Sequence, residues 1–414
     1  MGSIVIGYWS IAGCGLASIE KNRPDLFATH HSIILHFFVS SLIMNLRVAL
    51  VQDWLTGMRG GEKVLEVLCE LYPTATLFTL LHNKGAMSDV IERMEIRTSF
   101  IQNLPFKEER YRNYLPLFPR AIESFDFSEY DLIISTSHCV AKGARPRDGA
   151  LHICYCHTPM RYVWEMYDEY FGPGRAGLVT RTAMRIFRPR LQEWDVRSSD
   201  RVHYFIANSE NVARRIQSYY GRDSEVIHAP VDCSLFAVTG RDEGYYLIVS
   251  ALVPYKRVDL AIEAAKRLGA RLVVVGTGPD MEKLKKRAGP STEFLGWRSA
   301  TELAKLYAGC RALIFPGVED FGIVPLEAMA SGKPVIAFGK GGALETVIDR
   351  QEGGTGIFFY DQTVDALIEA IRKLERYHFD QNFIRKHAEK FDRAVFSSSI
   401  REFIEDKVRN QFGK

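Results

Sequence analysis

The chain has 414 residues, of which 47% are hydrophobic and 25% are charged, with 32 glycines and 16 prolines. This is the composition of an ordinary folded protein with a large core, and it excludes disordered and fibrous classes. The net charge of +3 provides no dominant basic field for nucleic acid, and at roughly 150 residues per domain the length suits two α/β domains.

The first 43 residues differ from the rest of the chain. An apolar stretch over residues 33–43 is interrupted by His36, Ser40 and Ser41, so it falls short of the roughly 20 residues that a spanning helix needs. Positive charges and a long polar stretch precede it and no small-residue cleavage site follows, which argues against a signal peptide. We expect residues 1–43 to be an extension outside the main fold; a membrane-surface anchor is the alternative.

From Leu46 onward, short β-branched runs alternate with amphipathic helical patterns, which predicts parallel βα units. In the first half, strands are predicted over residues 47–52, 76–80, 131–136, 152–156, 204–208 and 225–227. A second series is predicted over residues 245–249, 272–275, 292–295, 312–315, 334–338 and 356–359. Helical patterns include residues 62–71, 258–268 and 301–307.

The boundary between the two series is predicted near residues 229–232, before a polar segment that contains glycine. We therefore predict two Rossmann-like domains, over residues 44–230 and 231–396, and a final helix over residues 397–414 that packs across both. Ligands of open parallel sheets bind at the carboxyl ends of the strands. The binding site is accordingly expected in a cleft between the two domains.

The seven cysteines are scattered, without CxxC spacing, in a chain long enough to need no covalent cross-links. They are Cys14, Cys69, Cys139, Cys154, Cys156, Cys233 and Cys310. Cys154 and Cys156 alternate within a predicted strand, and their neighbourhood lacks the further ligands that a metal site needs. We predict buried, reduced thiols that act as small hydrophobic side chains.

The most informative stretch covers residues 316–332, where a predicted strand is followed by a Gly-containing loop and a helix that starts near Gly322. Pro325 is compatible with the first turn of that helix. A helix start offers free N–H groups and the positive end of its dipole to an anion. Glu319 and Glu327 bracket this start, so one carboxylate can face a sugar and the other a neighbouring diol. The alternative is that both acids are structural or solvated.

The spacing from Glu319 to Glu327, with Phe-Gly-Ile-Val-Pro-Leu-Glu-Ala from Phe321 onward, resembles the signature of the retaining family 4 glycosyltransferases of GT-B fold. The resemblance covers nearly everything from Met44 onward. Further matching segments are residues 60–62, 253–257, 276–279 and 341–345. Residues 156–162, Cys-His-Thr-Pro-Met-Arg-Tyr, are similar to the subset of mannosyltransferases that use GDP-mannose.

The resemblance implies a role for each residue of the signature. Glu319 and the N–H groups near Gly322 and Ile323 are expected to bind the hexose hydroxyls, and Glu327 the ribose hydroxyls. The other substrate-binding positions of this segment are Phe321 and Val324. A GT-B architecture of two facing Rossmann-like domains follows from the same resemblance.

A cation is expected beside the departing diphosphate, because this group gains negative charge as the glycosidic bond breaks. Lys256, in the basic loop that opens the second domain, is the candidate. In the family a second cation usually lies five residues earlier, where this chain has Ala251, and it stays open whether Arg257 compensates. The alternative is that Lys256 and Arg257 form a solvated basic face at a helix start.

Gly60 and Gly61 follow the first predicted strand and precede a helical pattern, so their backbone can approach phosphate oxygens where a Cβ would clash. A simple turn is the alternative. Neither this doublet nor the pair Gly276 and Gly278 completes GxGxxG, which disfavours a dinucleotide site and hydride transfer.

Two further residues are single candidates. His157 stands at the predicted carboxyl end of a strand, where a contact with a sugar hydroxyl is expected, with a structural histidine as the alternative. Trp297 follows another strand and is a candidate contact for the nucleotide base or a packing residue.

Retention at the anomeric carbon can proceed through a covalent carboxylate or through same-face attack within an ion pair, and the sequence does not separate the two. The resemblance favours same-face attack, with the leaving phosphate helping to remove the acceptor proton. No cofactor or metal is expected besides the donor, because no Asp-x-Asp motif stands on a suitable loop to hold a divalent ion against phosphates.

Two basic segments with apolar residues are candidates for the acceptor side. The first carries Arg175, Arg181, Arg185, Arg188, Arg190, Arg197 and Arg201. The apolar residues between these arginines would let such a helix lie on anionic lipid headgroups. The second, residues 106–118, mixes Lys107, Arg110 and Arg112 with Tyr111, Tyr114 and Leu115. Each can instead be a helix with one buried stripe and one solvated basic face.

We therefore expect a cytoplasmic retaining hexosyltransferase, in peripheral contact with the inner face of the cell membrane. It would move mannose, from GDP-mannose as the leading donor, to a glycan or a lipid-linked saccharide, with no nucleic acid as partner. The alternatives are a catalytically silent scaffold subunit that binds nucleotide sugars and a sugar nucleotide epimerase of similar architecture.

Overall fold

Two parallel β-sheets organise the protein, whose computed structural model describes residues 45–172, 174 and 177–413. The predicted extension over residues 1–43 lies outside these residues. The strands of the first sheet are β1 (Val48–Gln52), β2 (Thr76–Thr79), β3 (Glu95–Thr98), β4 (Leu132–Ser137), β5 (Leu151–Cys156), β6 (Tyr204–Ala207) and β7 (Ser224–Val226). Those of the second are β8 (Tyr245–Val249), β9 (Arg271–Val275), β10 (Thr292–Gly296), β11 (Ala312–Phe315), β12 (Val335–Phe338) and β13 (Gly356–Phe359).

Helices connect the strands. In the first half they are α1 (Gly60–Leu71), α2 (Asp89–Glu92), α3 (Lys107–Arg110), α4 (Phe118–Glu123), α5 (Tyr167–Phe171), α6 (Leu178–Ser199) and α7 (Glu210–Tyr220). In the second half they are α8 (Val258–Leu268), α9 (Met281–Arg287), α10 (Ala300–Gly309), α11 (Ile323–Ala330), α12 (Ala343–Thr346), α13 (Val364–Arg376), α14 (Gln381–Ala388) and α15 (Arg393–Phe412). Short 3-10 turns add Phe100–Asn103, Tyr111–Leu117, Ala141–Gly143, Cys233–Leu235, Pro254–Lys256 and Glu389–Phe391.

The strand orders are β3-β2-β1-β4-β5-β6-β7 and β10-β9-β8-β11-β12-β13, and every pairing is parallel. Most strands are apolar runs, because helices cover both faces of such sheets. In the centre of each sheet, Leu50 of β1 lies opposite Ile134 of β4, and Leu247 of β8 lies opposite Leu313 of β11. The predicted α/β class with two Rossmann-like parallel sheets is therefore confirmed.

One strand was not predicted. β3 is a four-residue strand at the edge of the first sheet, and its side chains are mostly exposed. Its sequence Glu-Ile-Arg-Thr carries two charges and lacks an apolar run, since an edge strand outside the core needs neither.

The strand order reverses at one point in each sheet, between β1 and β4 in the first and between β8 and β11 in the second. The loops after these strands open a crevice at the carboxyl edge, which is where open α/β sheets bind ligands. The fold therefore places the glycine doublet after β1, the basic loop after β8 and the first signature acid after β11 on three such loops.

The final helix lies along the first domain. α15 contacts α1 and β5, and Arg393 at its start forms ion pairs with Glu66 at 3.0 Å and Glu70 at 2.7 Å. Phe396 packs edge-on against Tyr155 of β5, with ring centroids 5.7 Å apart. The residue before the helix, Asp392, pairs with Val231, so the chain crosses from the second domain back to the first at this point.

The six cysteines within the described ranges are all buried, and no disulfide joins them. Cys14 lies outside those ranges. In the same part of the chain, none of the helices combines the length and the apolar character needed to cross a lipid bilayer.

Candidate active site

A cavity of about 430 Å³ lies between the two sheets, at the loops that follow β1, β5, β8 and β11. Nine of the twelve candidate residues line it: Gly60, Gly61, His157, Lys256, Glu319, Phe321, Gly322, Ile323 and Val324. Loops that are far apart in sequence meet here because parallel strands end at one edge of their sheet. The structure thus brings the glycine doublet, the histidine, the basic loop and the helix start together.

Lys256 and Glu319 lie side by side on two loops of the second domain and form an ion pair. Lys256 ends the turn after β8, and Glu319 lies in the loop after β11. The two loops touch through their backbones, since a Cβ added to Gly317 would lie 2.9 Å from the Cα of Lys256. The N–H of Gly342 donates to the carbonyl of Glu319 at 2.9 Å and fixes the loop from the other side.

The surroundings of Lys256 weaken its hold on a proton. Burial and the nearby guanidinium of Arg161 lower its pKa to about 7, while the carboxylate of Asp320 acts in the opposite direction. The ion pair with Glu319 also favours the charged lysine. An anionic ligand would add to these favourable charges, so it would be met by a protonated Lys256.

Helix α11 starts at the edge of the cavity. Its N-cap residue Gly322 has a φ of +90°, a left-handed conformation that favours glycine. Ile323 and Val324, the first two residues of the helix, line the cavity. The first N–H groups of a helix have no intrahelical partner and carry the positive end of the dipole, so this helix start can bind an anion.

The first domain contributes close backbone contacts and a neutral histidine. A Cβ added to Gly60 would lie 3.0 Å from Cδ1 of Ile323, and one added to Gly61 would lie 3.3 Å from Nε2 of His157. That Nε2 atom is buried and has no hydrogen-bond partner among the described residues. Burial and the neighbouring His138 lower the pKa of His157 to about 3, so its ring is neutral near pH 7 and available to a ligand hydroxyl.

A buried carboxylate supports this side of the cavity. Asp53, the residue after β1, accepts the N–H groups of His138 and of the next three residues at 2.6–2.9 Å. It also pairs with Nδ1 of His138 at 3.0 Å. Burial alone raises the pKa of Asp53, but His138 and these N–H groups lower it below its ordinary value. A charged Asp53 therefore holds the loop after β4 in place beside the cavity.

Glu327 does not line the cavity. It is buried in α11, where its Oε2 accepts the hydroxyl of Tyr307 at 2.9 Å and its Oε1 accepts Nζ of Lys63 at 2.8 Å. Lys63 belongs to α1 of the first domain, so this ion pair joins the two domains. The second signature acid thus has two partners within the protein, and a ribose would have to replace one of them.

The other two candidate residues also lie outside the small cavity. Arg257 has a φ of +52°, pairs with Asp259 at 3.1 Å and lines a neighbouring cavity. Trp297 is 73% exposed and lines neither cavity, which leaves it without the packing role that was its alternative.

The neighbouring cavity measures about 880 Å³ and continues the cleft between the domains. It shares four lining residues with the small cavity: Arg161, Tyr255, Glu319 and Asp320. The cleft thus has room for two ligands, on the two sides of Glu319. No group of three or more His, Cys, Asp or Glu residues that could hold a metal ion occurs in the described part of the chain.

Asp320, next to the first signature acid, joins the two domains. Its carboxylate accepts Nε of Arg161 at 2.8 Å and Nη1 of Arg215 at 2.7 Å, both from the first domain. Ser209 donates to its carbonyl at 2.8 Å, and Asn211 to its side chain at 3.3 Å. Burial raises the pKa of Asp320, but the two guanidinium groups lower it below its ordinary value. The loop that carries Glu319 is therefore held by the opposite domain.

Sequence reasoning missed several residues that line the small cavity. They include Trp54, Arg59, His138, Arg161 and Asp320. Trp54 and His138 each follow a strand of the first sheet closely, and that position was a usable signal. Arg161 and Asp320 stand inside the motifs that carried the resemblance, but only their pairing across the cleft shows what they contact.

The basic segments lie on the first domain. Arg175 is outside the described residues, and the remaining arginines of that segment fall on α6 or just after it. The first half of α6 exposes apolar side chains, with Leu178 76% and Val179 83% exposed. In residues 106–118, Tyr111 and Leu115 are buried, while Arg112 lines the small cavity.

Comparison with protein families places the site in a known context. The model for glycosyltransferase family 4 matches residues 66–235, and the model for glycosyl transferases group 1 matches residues 236–393. The two matches are consecutive and include both sheets apart from β1. The chain belongs to the group 1 glycosyltransferases of family 4.

Curated relatives of this chain include the D-inositol 3-phosphate glycosyltransferases of Mycobacterium tuberculosis and Mycobacterium bovis. Each is 31% identical over 203 residues, which cover 43% of this chain and 42% of the relative. The match thus spans less than half the length of these relatives.

Solved structures of similar fold extend the likeness over most of this chain. HepE from Anabaena in complex with UDP has a TM-score of 0.61 at 16% identity, covering 87% of this chain and all of HepE. Sucrose-phosphate synthase from Thermosynechococcus elongatus has a TM-score of 0.64 at 16% identity, covering 87% of this chain and 99% of the synthase. At such identities the likeness shows the fold, and the predicted GT-B architecture is confirmed.

Proposed function

We propose that this chain transfers a hexose, with retention, from a nucleotide diphosphate sugar to a glycan or a lipid-linked saccharide. The observation that carries the proposal is the small cavity, where Lys256, Glu319 and the start of α11 meet the glycine doublet of the first domain. A lysine and a helix start suit a diphosphate, and a carboxylate beside them suits sugar hydroxyls. The family match supports the same activity.

In the proposed reaction the bond between the anomeric carbon and the phosphate oxygen breaks, and its electron pair stays on the diphosphate. Lys256 and the N–H groups at the start of α11 stabilise the charge that develops there. The acceptor oxygen attacks from the face that the phosphate leaves, and its proton passes to a phosphate oxygen. The products are the glycosylated acceptor and the nucleoside diphosphate, and no further reactant is needed.

Mannose from GDP-mannose is the proposed donor group. Its support is the resemblance of residues 156–162 to the mannosyltransferase subset, and one member of that segment, His157, lines the small cavity. The solved structures of similar fold were obtained with other nucleotides, UDP for HepE and ADP for starch synthase IV of Arabidopsis thaliana. The nucleotide base is therefore the part of the proposal that most needs a measurement.

A panel of GDP, UDP, ADP and their sugars tests the donor, because a ligand that binds only the folded state raises the unfolding temperature. We expect the largest shift with GDP-mannose. Radiolabelled GDP-mannose and a lipid extract should then yield labelled lipid and free GDP. Glu319→Gln should leave the affinity for GDP within about threefold of the unmodified protein but lower transfer at least about 100-fold, since the carboxylate is expected to contact the sugar of the donor and not its phosphates.

Other outcomes would favour the two alternatives. Binding of GDP-mannose without any GDP release, unchanged by Glu319→Gln, would indicate a silent scaffold subunit. Conversion of GDP-mannose into another GDP-sugar without an acceptor would indicate an epimerase. A larger shift in unfolding temperature with UDP than with GDP would exclude GDP-mannose as the leading donor. The proposed transfer reaction would still hold.

Contact with an anionic membrane is the second part of the proposal, because it would bring a lipid-linked acceptor to the cleft. Its support is the first half of α6, where Leu178, Val179 and Ile186 are exposed next to Arg181 and Arg185. Apolar side chains beside cationic ones suit a helix that lies in the headgroup region. Such contact needs no spanning segment and would place the protein at the inner face of the cell membrane.

Vesicle binding tests this part of the proposal. We expect at least about tenfold tighter binding to phosphatidylcholine vesicles that contain phosphatidylglycerol than to phosphatidylcholine alone. Replacing Leu178, Val179 and Ile186 together by serine should abolish the difference. Val395→Ser is the matched control, since Val395 is an exposed apolar residue on a different helix. Equal loss in both variants, or no binding by the unmodified protein, would contradict membrane contact.

A further inference from the structure

The first domain lines the small cavity with three arginines, Arg59, Arg112 and Arg161. A nucleoside diphosphate carries at least two negative charges, whereas the second domain offers it one lysine, Lys256, beside the start of α11. Ala251, where the sequence lacks a cation, is exposed and lines neither cavity. Arg257 lines only the larger cavity and pairs with Asp259. The charge that faces the diphosphate must therefore come from elsewhere.

We propose that Arg161 of the first domain binds the donor diphosphate together with Lys256. This inference rests on the proposed function. It assigns to Arg161 a phosphate contact that the sequence analysis did not assign to this residue. Arg161 lines both cavities, so its guanidinium lies at the junction between them. Its charge is also close enough to Lys256 to lower the pKa of that lysine.

The hydrogen bonds of Arg161 leave part of its guanidinium open to a ligand. Nε and Nη2 both donate to Oδ2 of Asp320. Nη1 has only a contact of 4.0 Å with the sulfur of Met166, and no oxygen within the described residues accepts from it. A guanidinium has five N–H groups in a rigid plane, so one edge can hold a carboxylate while another binds a phosphate.

Asp320 orients this guanidinium. Its other oxygen accepts Arg215 at 2.7 Å and Asn211 at 3.3 Å, so the carboxylate cannot rotate away from Arg161. Arg215 donates Nη1 to Thr158 at 2.6 Å and pairs through Nε with Glu165 at 3.2 Å, while its Nη2 is buried without a hydrogen-bond partner among the described residues. Arg215 lines only the larger cavity, whereas Arg161 also lines the small one beside Lys256. Asp320 is therefore a positioning residue, and Arg161 is the arginine of this cluster that faces the small cavity.

The same arrangement couples donor binding to closure of the cleft. Arg161 follows β5 of the first domain, while Lys256 and α11 belong to the second. A diphosphate held by both cations would bridge the two domains through charge-assisted hydrogen bonds. The cation from the first domain is then available only when the domains face each other as they do here.

Affinities for GDP and GMP, measured by calorimetry, test the assignment. We expect Arg161→Gln to weaken GDP binding by about 10- to 100-fold, the usual loss for a hydrogen bond between charged groups, and GMP binding by less than about threefold. Arg215→Gln is the matched control. It removes the other arginine of Asp320 but no expected phosphate contact, and it should weaken GDP binding by less than about threefold.

Two further variants separate a direct contact from a fold defect. Ala251→Arg combined with Arg161→Gln should restore at least part of the lost GDP affinity, because an arginine side chain is long enough to extend from the loop after β8 toward Lys256. Arg161→Lys, which keeps the pair with Asp320, should bind GDP about three- to tenfold more weakly if the geometry of the guanidinium matters. The unfolding temperature of each variant shows whether it is folded.

The outcomes distinguish this inference from the proposed function. If the unmodified protein binds no nucleoside diphosphate, the proposed function fails. If it binds GDP and Arg161→Gln binds GDP equally well, only the assignment of Arg161 fails. Equal losses for GDP and GMP, or for Arg161→Gln and Arg215→Gln, would also overturn the assignment. Arg59 and Arg112 line the same cavity, and a loss specific to Arg59→Gln or to Arg112→Gln would transfer the role to that residue.

Discussion

The two sides of the cleft present different chemistry to a ligand. The second domain offers charge, with Lys256 and Glu319 as neighbouring ions and the positive end of α11 beside them. The first domain offers close backbone approach at Gly61 and the uncharged ring of His157. Under the proposed function, the second domain would stabilise the leaving group and the first would shape the space around the sugar. Three arginines of the first domain, Arg59, Arg112 and Arg161, also line the small cavity, and Arg161 is held by an acid of the second domain.

The largest effect is expected from removing charge on the second side. Lys256→Ala should lower the rate of GDP release at saturating donor by about 10²- to 10³-fold, because it removes a cation from the developing charge. His157→Ala, on the neutral side, should lower it by about tenfold at most, the cost of one neutral hydrogen bond. Lys256→Arg, which keeps the charge, is the control and should retain more activity than Lys256→Ala. Equal losses for Lys256→Ala and His157→Ala would remove the contrast between the two sides.

A single methyl group added at Gly61 tests the close backbone approach that the first domain offers. Gly61→Ala would place a Cβ 3.3 Å from His157, at the point where a phosphate is expected to approach the backbone. We expect a loss of about tenfold in GDP affinity. Gly177→Ala is the control, since a Cβ there meets nothing within 4 Å. Unchanged GDP affinity in Gly61→Ala would leave the doublet as a simple turn.

The pH dependence of kcat/KM is expected to report the charged side. With a pKa of about 7, Lys256 carries its charge below that pH and loses it above, so kcat/KM should fall by about tenfold per pH unit on the alkaline side. Arg161→Gln removes a nearby positive charge, raises the pKa of Lys256 and should move this limb to higher pH. His157, with a pKa of about 3, should produce no limb between about pH 5 and 9. A limb that moves to lower pH in Arg161→Gln would contradict the contact between the two cations.

The fold was predictable from the sequence where burial imposes a pattern. Strands such as Ala312–Phe315 are buried on both faces, so their apolar runs mark both their presence and their bounds. The exposed edge strand Glu95–Thr98 carries no such pattern and was missed. Helix α15 was predicted from residue 397, but it begins at Arg393, because the cap formed by Asp392 decides the start and the amphipathic pattern does not.

The site was predictable only in part, for a related reason. Lys256 and Glu319 each follow a predicted strand of the second domain, so both were expected at the carboxyl edge of its sheet, and the structure shows that these two strands are neighbours. The partners of Asp320 and Glu327 come from the other domain, and nothing in the local sequence of either acid indicates them. Contacts within one sheet follow from topology, whereas contacts across a cleft depend on how two domains meet.

The smallest effect is expected at the outer edge of the second domain, where Trp297 is 73% exposed. Trp297→Ala should change the free energy of unfolding by less than about 0.5 kcal/mol, as for other exposed side chains. If the indole stacks on the base, GDP and GMP should both bind about fivefold more weakly, because stacking on one base contributes about 1 kcal/mol or more.

Tyr360→Ala, at another exposed aromatic of the same domain, should leave both affinities unchanged. Equal loss for the two nucleotides is the opposite of the pattern expected for Arg161, where only the diphosphate is affected. Trp297→Ala and Arg161→Gln therefore test separately the contacts to the base and the contacts to the diphosphate. If Trp297→Ala weakened the binding of GDP but not of GMP, the indole would lie near the phosphates. The second domain would then bind the diphosphate with an uncharged side chain as well as with Lys256, and charge alone would no longer distinguish the two sides of the cleft.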